Sequence, residues 1–501
     1  MSGNSPLFAA IDLGSNSFHM LVVRNVEGAV RAVSRVKRKV RLASGLDENN
    51  VLSDEAINRG LDCLKLFAEQ LENIPVENVR IVGTATLRIA KNVDVFLEKA
   101  EKILNQPIEI ISGETEAKTI YYGVISTSSE KGNTLVLDIG GASTELIIGE
   151  QKLIKVLHST QMGCVTWCNR YFNDNLITKE HYTDAINAAK KILEPYKDEY
   201  LNASFNNCLG ASGTIQALQE IMSYRLLNEI VTIDILYELR DATILAGSFD
   251  KLQIEGLTPE RLTVFPSGLA ILIAIFESLN IKSMSLAGGA LREGLIYSML
   301  GKSDNSKDNR TTTLDSLIIR YQIDREQANR VNYVSQRLFN DVKKVWEIDN
   351  EISQIILKSA AMLYEIGLCI EYKNAPQHAA YIINNIDMPG FTLAQKHLIS
   401  ALLFNERDDF KLDVLRKQNA VSFINACNLA RLLRIAIILS MRRSDDVFSR
   451  EFMIKADSSN HIKLIMPKGW FDSHYLRYCA LKEEAQKQKM MGWVMELGEE
   501  Q

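Results

Sequence analysis

Residues 10–19 read Ala-Ile-Asp-Leu-Gly-Ser-Asn-Ser-Phe-His, and residues 137–145 read Leu-Asp-Ile-Gly-Gly-Ala-Ser-Thr-Glu. Each stretch runs from an apolar strand through an Asp-x-Gly turn of small residues into a second apolar strand. Glycine and serine allow such a turn to close tightly and to direct backbone N–H groups at an anion. Two copies of the same turn predict two similar lobes that face each other across a phosphate.

Both turns supply candidate ligands for phosphate and for a metal ion. The predicted phosphate-binding residues of the two turns are Gly14, Ser15, Asn16, Ser17, His19, Gly140, Gly141, Ala142 and Ser143. Asp138 and Glu145 flank the second turn and are suited to hold Mg²⁺ directly or through water, with Asp12 as the corresponding residue of the first turn. The alternatives are an ordinary hairpin turn and, for Glu145, a solvated strand residue.

Two more glycine-rich loops follow predicted strands and precede predicted helices. Residues 210–214 read Gly-Ala-Ser-Gly-Thr, and residues 288–294 read Gly-Gly-Ala-Leu-Arg-Glu-Gly. Helix N-termini favour anions, and α/β sheets bind ligands at strand ends. Either loop alone is also explained by a tight strand–helix joint. Together with the two turns they favour a phosphate or nucleotide cleft, and Gly213 joins the predicted phosphate-binding residues.

Other charged residues keep more than one interpretation. Glu114 and Glu116 both fall in the first turn of a predicted helix, where a carboxylate complements the helix dipole and is expected to have a low pKa. Spacing does not choose between them. Arg88 follows a predicted strand and suits either a phosphate contact or a solvated surface position. Five cations in residues 35–41 fit a charged edge strand and a basic rim equally well.

Composition narrows the class of protein. A chain of 501 residues predicts two to four domains, and a net charge of −5 argues against a protein that coats nucleic acid. The N-terminus lacks a secretory pattern and the apolar runs are too short for a bilayer, so we expect no membrane partner. Seven cysteines without a Cys-x-x-Cys pair predict reduced thiols and a cytoplasmic location.

The order of elements predicts the domain organisation. Alternating strands and helices up to about residue 300 favour an α/β class. Residues 301–313 are polar and typical of a linker, and beyond them the apolar spacing is helical. We therefore predict two α/β lobes, residues 1–125 and 126–305, followed by a mostly α-helical domain with a short tail, residues 306–501.

The chain resembles the exopolyphosphatase/guanosine pentaphosphate phosphohydrolase family over essentially its whole length. The motifs that carry the resemblance lie at residues 10–20, 138–146, 162–165 (Met-Gly-Cys-Val) and 289–294. The resemblance implies two ribonuclease H-like lobes of the actin/sugar kinase superfamily, followed by an HD-like helical domain. It also implies a homodimer.

The resemblance implies roles for individual residues. Glu116 corresponds to the catalytic glutamate that positions or deprotonates the attacking water, Asp138 and Glu145 to the Mg²⁺ carboxylates, and Arg88 to a phosphate contact. Lys118 replaces a frequent arginine of the family beside this glutamate. Where an HD-type domain carries His-Asp, residues 364–365 are Tyr-Glu, so we expect no second working metal site there.

The implied activity is hydrolysis of a terminal phosphoanhydride. Gly-Gly-Ala-Ser at residues 140–143 and Phe-Pro-Ser-Gly-Leu-Ala at 265–270 are similar to the branch that converts pppGpp to ppGpp in the stringent response. One alternative is an exopolyphosphatase that shortens polyphosphate. The other is a catalytically silent alarmone sensor.

Overall fold

The computed structural model describes residues 5–26, 29–225, 230–301, 308–445, 452–458 and 460–500. The chain divides into unit 1, Met1–Asn309, and unit 2, Arg310–Gln501. The predicted boundary at 305/306 and much of the predicted linker, residues 302–307, lie outside the described residues.

The first part of unit 1 forms a five-stranded sheet with helices. The strands are β1 (Leu7–Leu13), β2 (Ser17–Val26), β3 (Ala29–Lys39), β4 (Val79–Gly83) and β5 (Glu109–Ile110). The helices are α1 (Asp54–Leu71), α2 (Ala85–Ile89), α3 (Val93–Leu104) and α4 (Gly113–Thr127). The strand order is β3-β2-β1-β4-β5; the β1–β2 and β2–β3 pairs are antiparallel and the β1–β4 and β4–β5 pairs parallel.

The rest of unit 1 repeats this arrangement. The strands are β6 (Thr134–Ile139), β7 (Thr144–Glu150), β8 (Leu153–Thr160), β9 (Asn207–Ala211) and β10 (Ser285–Leu286). The helices are α5 (Cys164–Tyr171), α6 (Lys179–Leu193), α7 (Lys197–Ala203), α8 (Ser212–Tyr224), α9 (Ile233–Ala246), α10 (Pro259–Leu262), α11 (Phe265–Leu279) and α12 (Leu291–Met299). The order β10-β9-β6-β7-β8 has the same pattern of antiparallel and parallel pairs. The predicted duplication of an α/β lobe is therefore confirmed.

Two elements of unit 1 are short. Helix α6 ends at Leu193: Glu194 still has helical backbone, but Pro195 has no N–H with which to continue the helical hydrogen bonds. Strand β5 pairs only at Glu109 and Ile110, since it lies at the edge of its sheet and has one neighbour, β4.

Helices α4 and α12 share one hydrophobic core with both sheets. This core contains Ala10 and Leu21 of the first sheet, Val136 and Ile147 of the second, and apolar residues of both helices. The two helices approach so closely that a Cβ on Gly123 would lie 2.0 Å from the backbone oxygen of Ala290. Glycine is therefore required where the helices cross.

Gly294→Ala is expected to destabilise unit 1. A Cβ at Gly294 would lie 2.0 Å from the backbone oxygen of Thr119 in α4, so the helices would have to separate, at a cost of about 1–3 kcal/mol. Gly498→Ala is the control, since its Cβ would meet only the flexible end of the Lys463 side chain at 3.3 Å. Urea unfolding of both variants checks the prediction, and equal losses of stability would contradict it.

Unit 2 is mostly helical, as predicted, with a small sheet. Its helices are α13 (Asn309–Arg320, which begins at the last residue of unit 1), α14 (Arg325–Val342), α15 (Glu351–Leu363), α16 (Ala375–Asn385), α17 (Leu393–Phe404), α18 (Leu412–Arg416), α19 (Phe423–Leu439), α20 (Trp470–Ser473) and α21 (Tyr475–Met490). Strands β11 (Met453–Ser458), β12 (His461–Met466) and β13 (Val494–Glu499) form a sheet of that order.

Buried arginines join two of these helices. Arg434 of α19 pairs with Glu484 of α21 at 2.6 Å, and the side chains are 2% and 3% exposed. Arg434 also donates to the backbone oxygen of Asn405 at 2.8 Å and packs on the Phe410 ring. Arg431, one helical turn earlier, bonds Gln488 of the same partner helix at 2.9 Å. Charged contacts therefore fix α21 against the core of unit 2.

One segment of unit 2 resembles a membrane-spanning helix in length and composition alone. Residues Glu351–Cys369 meet both criteria, but 67% of that stretch is buried inside the structure. Core helices of globular proteins satisfy the same criteria. The expected absence of a membrane partner stays a prediction.

Candidate active site

One cleft in unit 1, of about 490 Å³, collects the predicted site residues from both lobes. Its lining includes Asp12, Gly14, Ser15, Asn16, Ser17, His19, Glu116, Asp138, Gly140, Gly141, Ala142, Ser143, Glu145 and Gly213. Of the predicted residues, Arg88 alone is missing from this lining and lies behind it. The individual roles of these residues stay predictions.

The two turns are built and supported in the same way. The Gly140 and Gly141 carbonyl oxygens accept bonds from the N–H groups of Cys164 and Val165, each at 2.9 Å. The Ser15 and Asn16 carbonyls of the first turn are held likewise by backbone N–H groups of residues 40–43. Both turns are thus anchored through their carbonyl oxygens, and their tips meet, since a Cβ on Gly141 would lie 3.2 Å from that of Ser15.

The Met-Gly-Cys-Val motif at residues 162–165 explains part of this support. A Cβ at Gly163 would lie 2.3 Å from the backbone nitrogen of Ala142. Only glycine lets this segment approach the second turn closely enough for Cys164 and Val165 to make their bonds.

Strand register pairs equivalent polar residues beside each turn. Asp138 stands opposite Glu145 in the β6–β7 pair, and Asp12 stands opposite His19 in the β1–β2 pair. The first lobe therefore carries a histidine where the second carries a glutamate. Burial, and then the charge of Arg292, lower the pKa of His19 to about 3, so this imidazole is neutral at neutral pH.

The carboxylates of the second turn are buried and repel each other. Asp138 is 9% and Glu145 1% exposed, so the alternative of a solvated Glu145 is wrong. Burial, followed by the charges of Glu116 and Asp12, raises the pKa of Asp138 to about 8. Burial, followed by the charge of Asp138, raises the pKa of Glu145 to about 8, while bonds from the Ser159 and Ser143 hydroxyls oppose this rise.

The first turn directs unsatisfied polar atoms toward the cleft. Asp12 Oδ1, Ser17 Oγ and His19 Nε2 are buried and have no hydrogen-bond partner among the described residues. Burial raises the pKa of Asp12 to about 6, and Arg292 opposes this shift. Buried polar atoms without partners are costly. Their concentration in one cleft indicates a bound polar ligand.

Tertiary packing separates Glu116 from Glu114. Glu116 is 7% exposed and lines the cleft, whereas the Glu114 side chain is 66% exposed and pairs with Lys118 at 2.6 Å. The low pKa expected for a first-turn carboxylate holds for Glu114, where Lys118 lowers it. It is wrong for Glu116, because burial and then Glu145 raise its pKa well above the ordinary value despite Arg88.

Arg88 contacts Glu116 and does not line the main cleft. Its Nη1 donates to Glu116 Oε2 at 3.1 Å and to the backbone oxygen of Ile111 at 2.8 Å. The alternative of a solvated surface arginine is wrong, since the side chain is 27% exposed and paired. Arg88 is therefore connected to the site through its bond to Glu116, the candidate catalytic residue.

The cleft also contains basic side chains, most of which lie in segments that the sequence analysis singled out. Arg35 and Lys37 of β3 line the cleft together with Arg261 and Arg292. Strand β3 is also the edge of its sheet, so the two interpretations of this cationic segment are compatible. Arg292 lies in a motif that the sequence singled out, whereas Arg261 carries no local signal.

Arg261 lies directly on the glycine-rich loop of α8. A Cβ on Gly213 would fall 1.6 Å from Arg261 Nη1, so only glycine admits the guanidinium here. The preceding Ser212 has φ 81°, a left-handed conformation that serine rarely adopts. Strained backbone of this kind is concentrated at functional sites. The loop is therefore shaped to seat a cation beside the cleft.

The carboxylates of the cleft suit a divalent cation by the chemistry of their oxygens. Asp12 has an unpartnered buried oxygen, and Asp138 is close enough to raise the pKa of the buried Glu145 carboxyl. Within the described ranges, no three side chains of the metal-binding types converge as a ready-made site. Mg²⁺ commonly takes one or two protein carboxylates and completes its shell with water and substrate phosphate. These residues fit that pattern.

Family models match both units of this chain. Residues 21–303 match the model described as the Ppx/GppA phosphatase family. Residues 309–485 match the model described as Ppx/GppA phosphatase, domain III. The chain belongs to the Ppx/GppA phosphatase family.

Two relatives of this family align over nearly all of the chain. The guanosine-5'-triphosphate,3'-diphosphate pyrophosphatase of Aeromonas hydrophila is 59% identical over 490 residues, 98% of each chain. The protein of the same name from Aeromonas salmonicida is 58% identical over 490 residues, again 98% of each chain.

Solved structures of the Ppx/GppA family support the fold of this chain. An exopolyphosphatase from Cytophaga hutchinsonii is 24% identical, with a TM-score of 0.55, and covers 60% of this chain and 100% of its own. The Aquifex aeolicus PPX-GPPA enzyme is 23% identical, with a TM-score of 0.51, covering 58% of this chain and 99% of its own.

The residues at the HD-like position of unit 2 form an ion-pair network. Tyr364 Oη donates to Glu365 Oε1 at 3.1 Å, and Arg443 pairs with Glu365 and, at 2.8 Å, with Asp324. A guanidinium thus neutralises the carboxylate at this position. Glu406, fully buried nearby, has an Oε2 without a partner among the described residues.

Glu406 is expected to make the stability of the chain depend on pH. Burial raises the pKa of Glu406 to about 8 from 4.5, so between these values the folded chain holds a proton that the unfolded chain releases. Its contribution to stability is therefore lost as pH rises through this window. Because a tenfold change in proton affinity corresponds to about 1.4 kcal/mol, the whole loss is at most a few kcal/mol.

Glu406→Gln should remove the part of the pH dependence that Glu406 contributes. We expect the variant to match the wild type near pH 5 and to be the more stable of the two near pH 8.5, by urea unfolding. Glu483→Gln, an exposed glutamate of α21, is the control and should show no such pH-dependent gain. A constant difference between wild type and Glu406→Gln across this range would overturn the prediction.

Proposed function

We propose that this chain hydrolyses the 5′ terminal phosphoanhydride of guanosine pentaphosphate, so that pppGpp and water give ppGpp and orthophosphate. The observation that carries the proposal is that one cleft combines buried carboxylates with cationic side chains. Glu116, Asp138 and Glu145 line it together with Arg261, Arg292 and Lys37. The relatives named for a guanosine-5'-triphosphate,3'-diphosphate substrate support the choice of nucleotide.

In the proposed mechanism the chain's own residues bind, orient and accept a proton. The two glycine- and serine-rich turns donate N–H hydrogen bonds to the terminal phosphates, and these bonds position the reacting phosphorus beside Glu116. Glu116 orients a water molecule and accepts its proton as the water oxygen bonds to the terminal phosphorus. The bond from that phosphorus to the bridging oxygen breaks, and the bridging oxygen leaves with ppGpp. Its raised pKa brings the carboxylate closer to the working pH of a general base. Arg88 fixes the orientation of Glu116 through the 3.1 Å bond.

In this proposal the basic residues of the cleft bind the phosphates that are not cleaved. Arg35, Lys37, Arg261 and Arg292 supply charge there, and guanidinium groups suit phosphate oxygens. The same row suits successive phosphates of a linear polyphosphate, so exopolyphosphatase activity is the second candidate.

Phosphate release from pppGpp and from long-chain polyphosphate, at equal concentration of terminal phosphates, tests the proposal. Faster release from pppGpp supports it. A preference for polyphosphate favours the exopolyphosphatase. Tight ppGpp binding with no release from either substrate favours the silent sensor.

We propose Mg²⁺ as the cofactor, held by Asp138 and Glu145 with Asp12 nearby. When bound, the ion neutralises negative charge that develops on the phosphates. Without it, the buried carboxylates repel one another and are held partly protonated.

Asp138→Asn should have opposite effects with and without Mg²⁺. Removing one buried carboxylate relieves repulsion, so the metal-free variant should melt at the same or a higher temperature than the wild type. A ligand that binds only the folded state raises stability in proportion to RT ln(1 + [L]/Kd), so the wild type should gain a Tm shift with Mg²⁺ that the variant loses. An undiminished shift in the variant would exclude Asp138 as a ligand, and Glu150→Gln, exposed at the end of β7, is the control.

Location and assembly complete the proposal. All seven cysteines fall within the described ranges and are free thiols, which supports a reducing, cytoplasmic environment. A homodimer stays a prediction that sedimentation can test.

A further inference from the structure

A second cavity, of about 600 Å³, adjoins the cleft behind the second turn. Ala85, Ala142 and Ser143 line both spaces and so belong to the wall between them. The cavity extends to the surface at Ile89, which is 44% exposed, and at Glu114, whose side chain is 66% exposed. It is therefore a second opening that begins beside the reacting groups.

Glu116 and Glu145 each accept a hydrogen bond from a residue that lines the second cavity. Glu116 lines the cleft, and its partner Arg88 lines the second cavity. Glu145 also lines the cleft, and it accepts a 2.8 Å bond from Ser159 Oγ, whose residue lines the second cavity. These two hydrogen bonds thus lie between the proposed reaction centre and the second cavity.

The second cavity offers donors to a small anion. Both hydrogen bonds recorded for Arg88 within the described residues use Nη1. Arg88 Nη2 lies beside Gly113, 3.7 Å from the position that a Cβ at residue 113 would occupy. Gly113 begins the fifteen-residue helix α4, whose first N–H groups add positive potential at the same place. The one acidic side chain in the lining, Glu114, is neutralised by Lys118.

We propose that this cavity binds the orthophosphate product and serves as its exit. The inference rests on the proposed function. Attack on the terminal phosphorus releases orthophosphate on the Glu116 side while the nucleotide product still fills the cleft. Both products therefore occupy the protein together directly after cleavage. Orthophosphate then leaves past Arg88, before the nucleotide.

The first test is equilibrium binding of inorganic orthophosphate to the full chain saturated with ppGpp. Binding to the saturated protein is expected, with little change in ppGpp affinity. Competition between orthophosphate and ppGpp would mean a single site and would overturn the proposal. This test needs no turnover, so it is decided even if the chain proves to be a silent sensor.

The second test narrows the exit without touching the reacting groups. Ile89→Trp places a large ring at the outer edge of the cavity, and Val95→Trp, at a residue of α3 that is 45% exposed, is the matched control. In single turnovers of pppGpp, acid quenching measures bond cleavage, and a fluorescent phosphate sensor measures free orthophosphate. We expect Ile89→Trp to slow free orthophosphate about tenfold or more relative to cleavage, as for release-limited enzymes, with Val95→Trp unchanged.

The outcomes of this test separate the two proposals. Equal delays between cleavage and release in Ile89→Trp, Val95→Trp and the wild type would overturn the exit. Absence of cleavage in the wild type with both pppGpp and polyphosphate would refute the proposed function, and the orthophosphate titration would still decide whether the chain binds the anion together with ppGpp.

Discussion

Glu116→Gln is expected to lower kcat by about 10²–10⁴-fold, the range for loss of a general base, with ppGpp affinity little changed. Glutamine keeps the size of the side chain and can still accept a bond from Arg88, but it cannot take a proton from water. It also removes a buried charge that Glu145 and Asp12 oppose, so the fold should tolerate the change. Single-turnover kinetics with pppGpp and ppGpp titration measure the two quantities separately.

Glu114→Gln is the matched control for this experiment. Glu114 stands two residues earlier on the same helix, but its side chain is exposed and paired with Lys118. We expect its kcat to stay within about twofold of the wild type, since surface pairs contribute little. Equal losses in the two variants would mean that the helix and not Glu116 supports turnover. Lost ppGpp binding in Glu116→Gln would assign Glu116 a structural role.

Glu484→Gln should destabilise the chain by about 3–5 kcal/mol, the usual effect of breaking a buried ion pair. Arg434 stays buried and charged in the variant, and its bond to the Asn405 carbonyl does not replace a carboxylate. Helix α21 contacts α19 through this pair and through the neighbouring Arg431–Gln488 bond, among other contacts. Thermal and urea unfolding measure the effect.

Asp315→Asn supplies the comparison. Arg325 and Asp315 approach to the same 2.6 Å as the buried pair, but their side chains are 46% and 33% exposed. Its loss should therefore be about 0–1 kcal/mol. Similar losses of stability in the two variants would show that burial does not determine how much an ion pair contributes to stability. Replacing both buried partners, Arg434→Met with Glu484→Leu, should recover much of the stability.

The residues of the site differ in how far the sequence could predict them. The turns at residues 12–17 and 138–143 could be predicted because their requirements are local: small residues and glycine at fixed spacing after a strand. Glu116 could not be chosen over Glu114 from residue spacing, because the choice depends on which face of α4 is buried against the rest of unit 1. The resemblance to a family was needed to select it.

Long-range packing also set the electrostatics. Local position predicted a low pKa for a first-turn carboxylate, and the structure reverses this for Glu116 because residues far along the chain bury it and place Glu145 beside it. Arg261 reaches the cleft from a segment without any local signal, made possible by the missing side chain of Gly213. Arg88 was a candidate from the sequence, but its bond to Glu116, 28 residues away, is decided by the fold.

The sequence by itself determined the duplicated lobe, the two phosphate-type turns and the change from an α/β to a helical architecture. These follow from backbone preferences and from apolar periodicity, which neighbouring residues encode. Only the tertiary structure decided which carboxylates are buried, which cations face them and that a second cavity lies behind Arg88 and Glu116. Burial and charge interactions act through space, so they depend on residues that the fold brings together from distant parts of the chain.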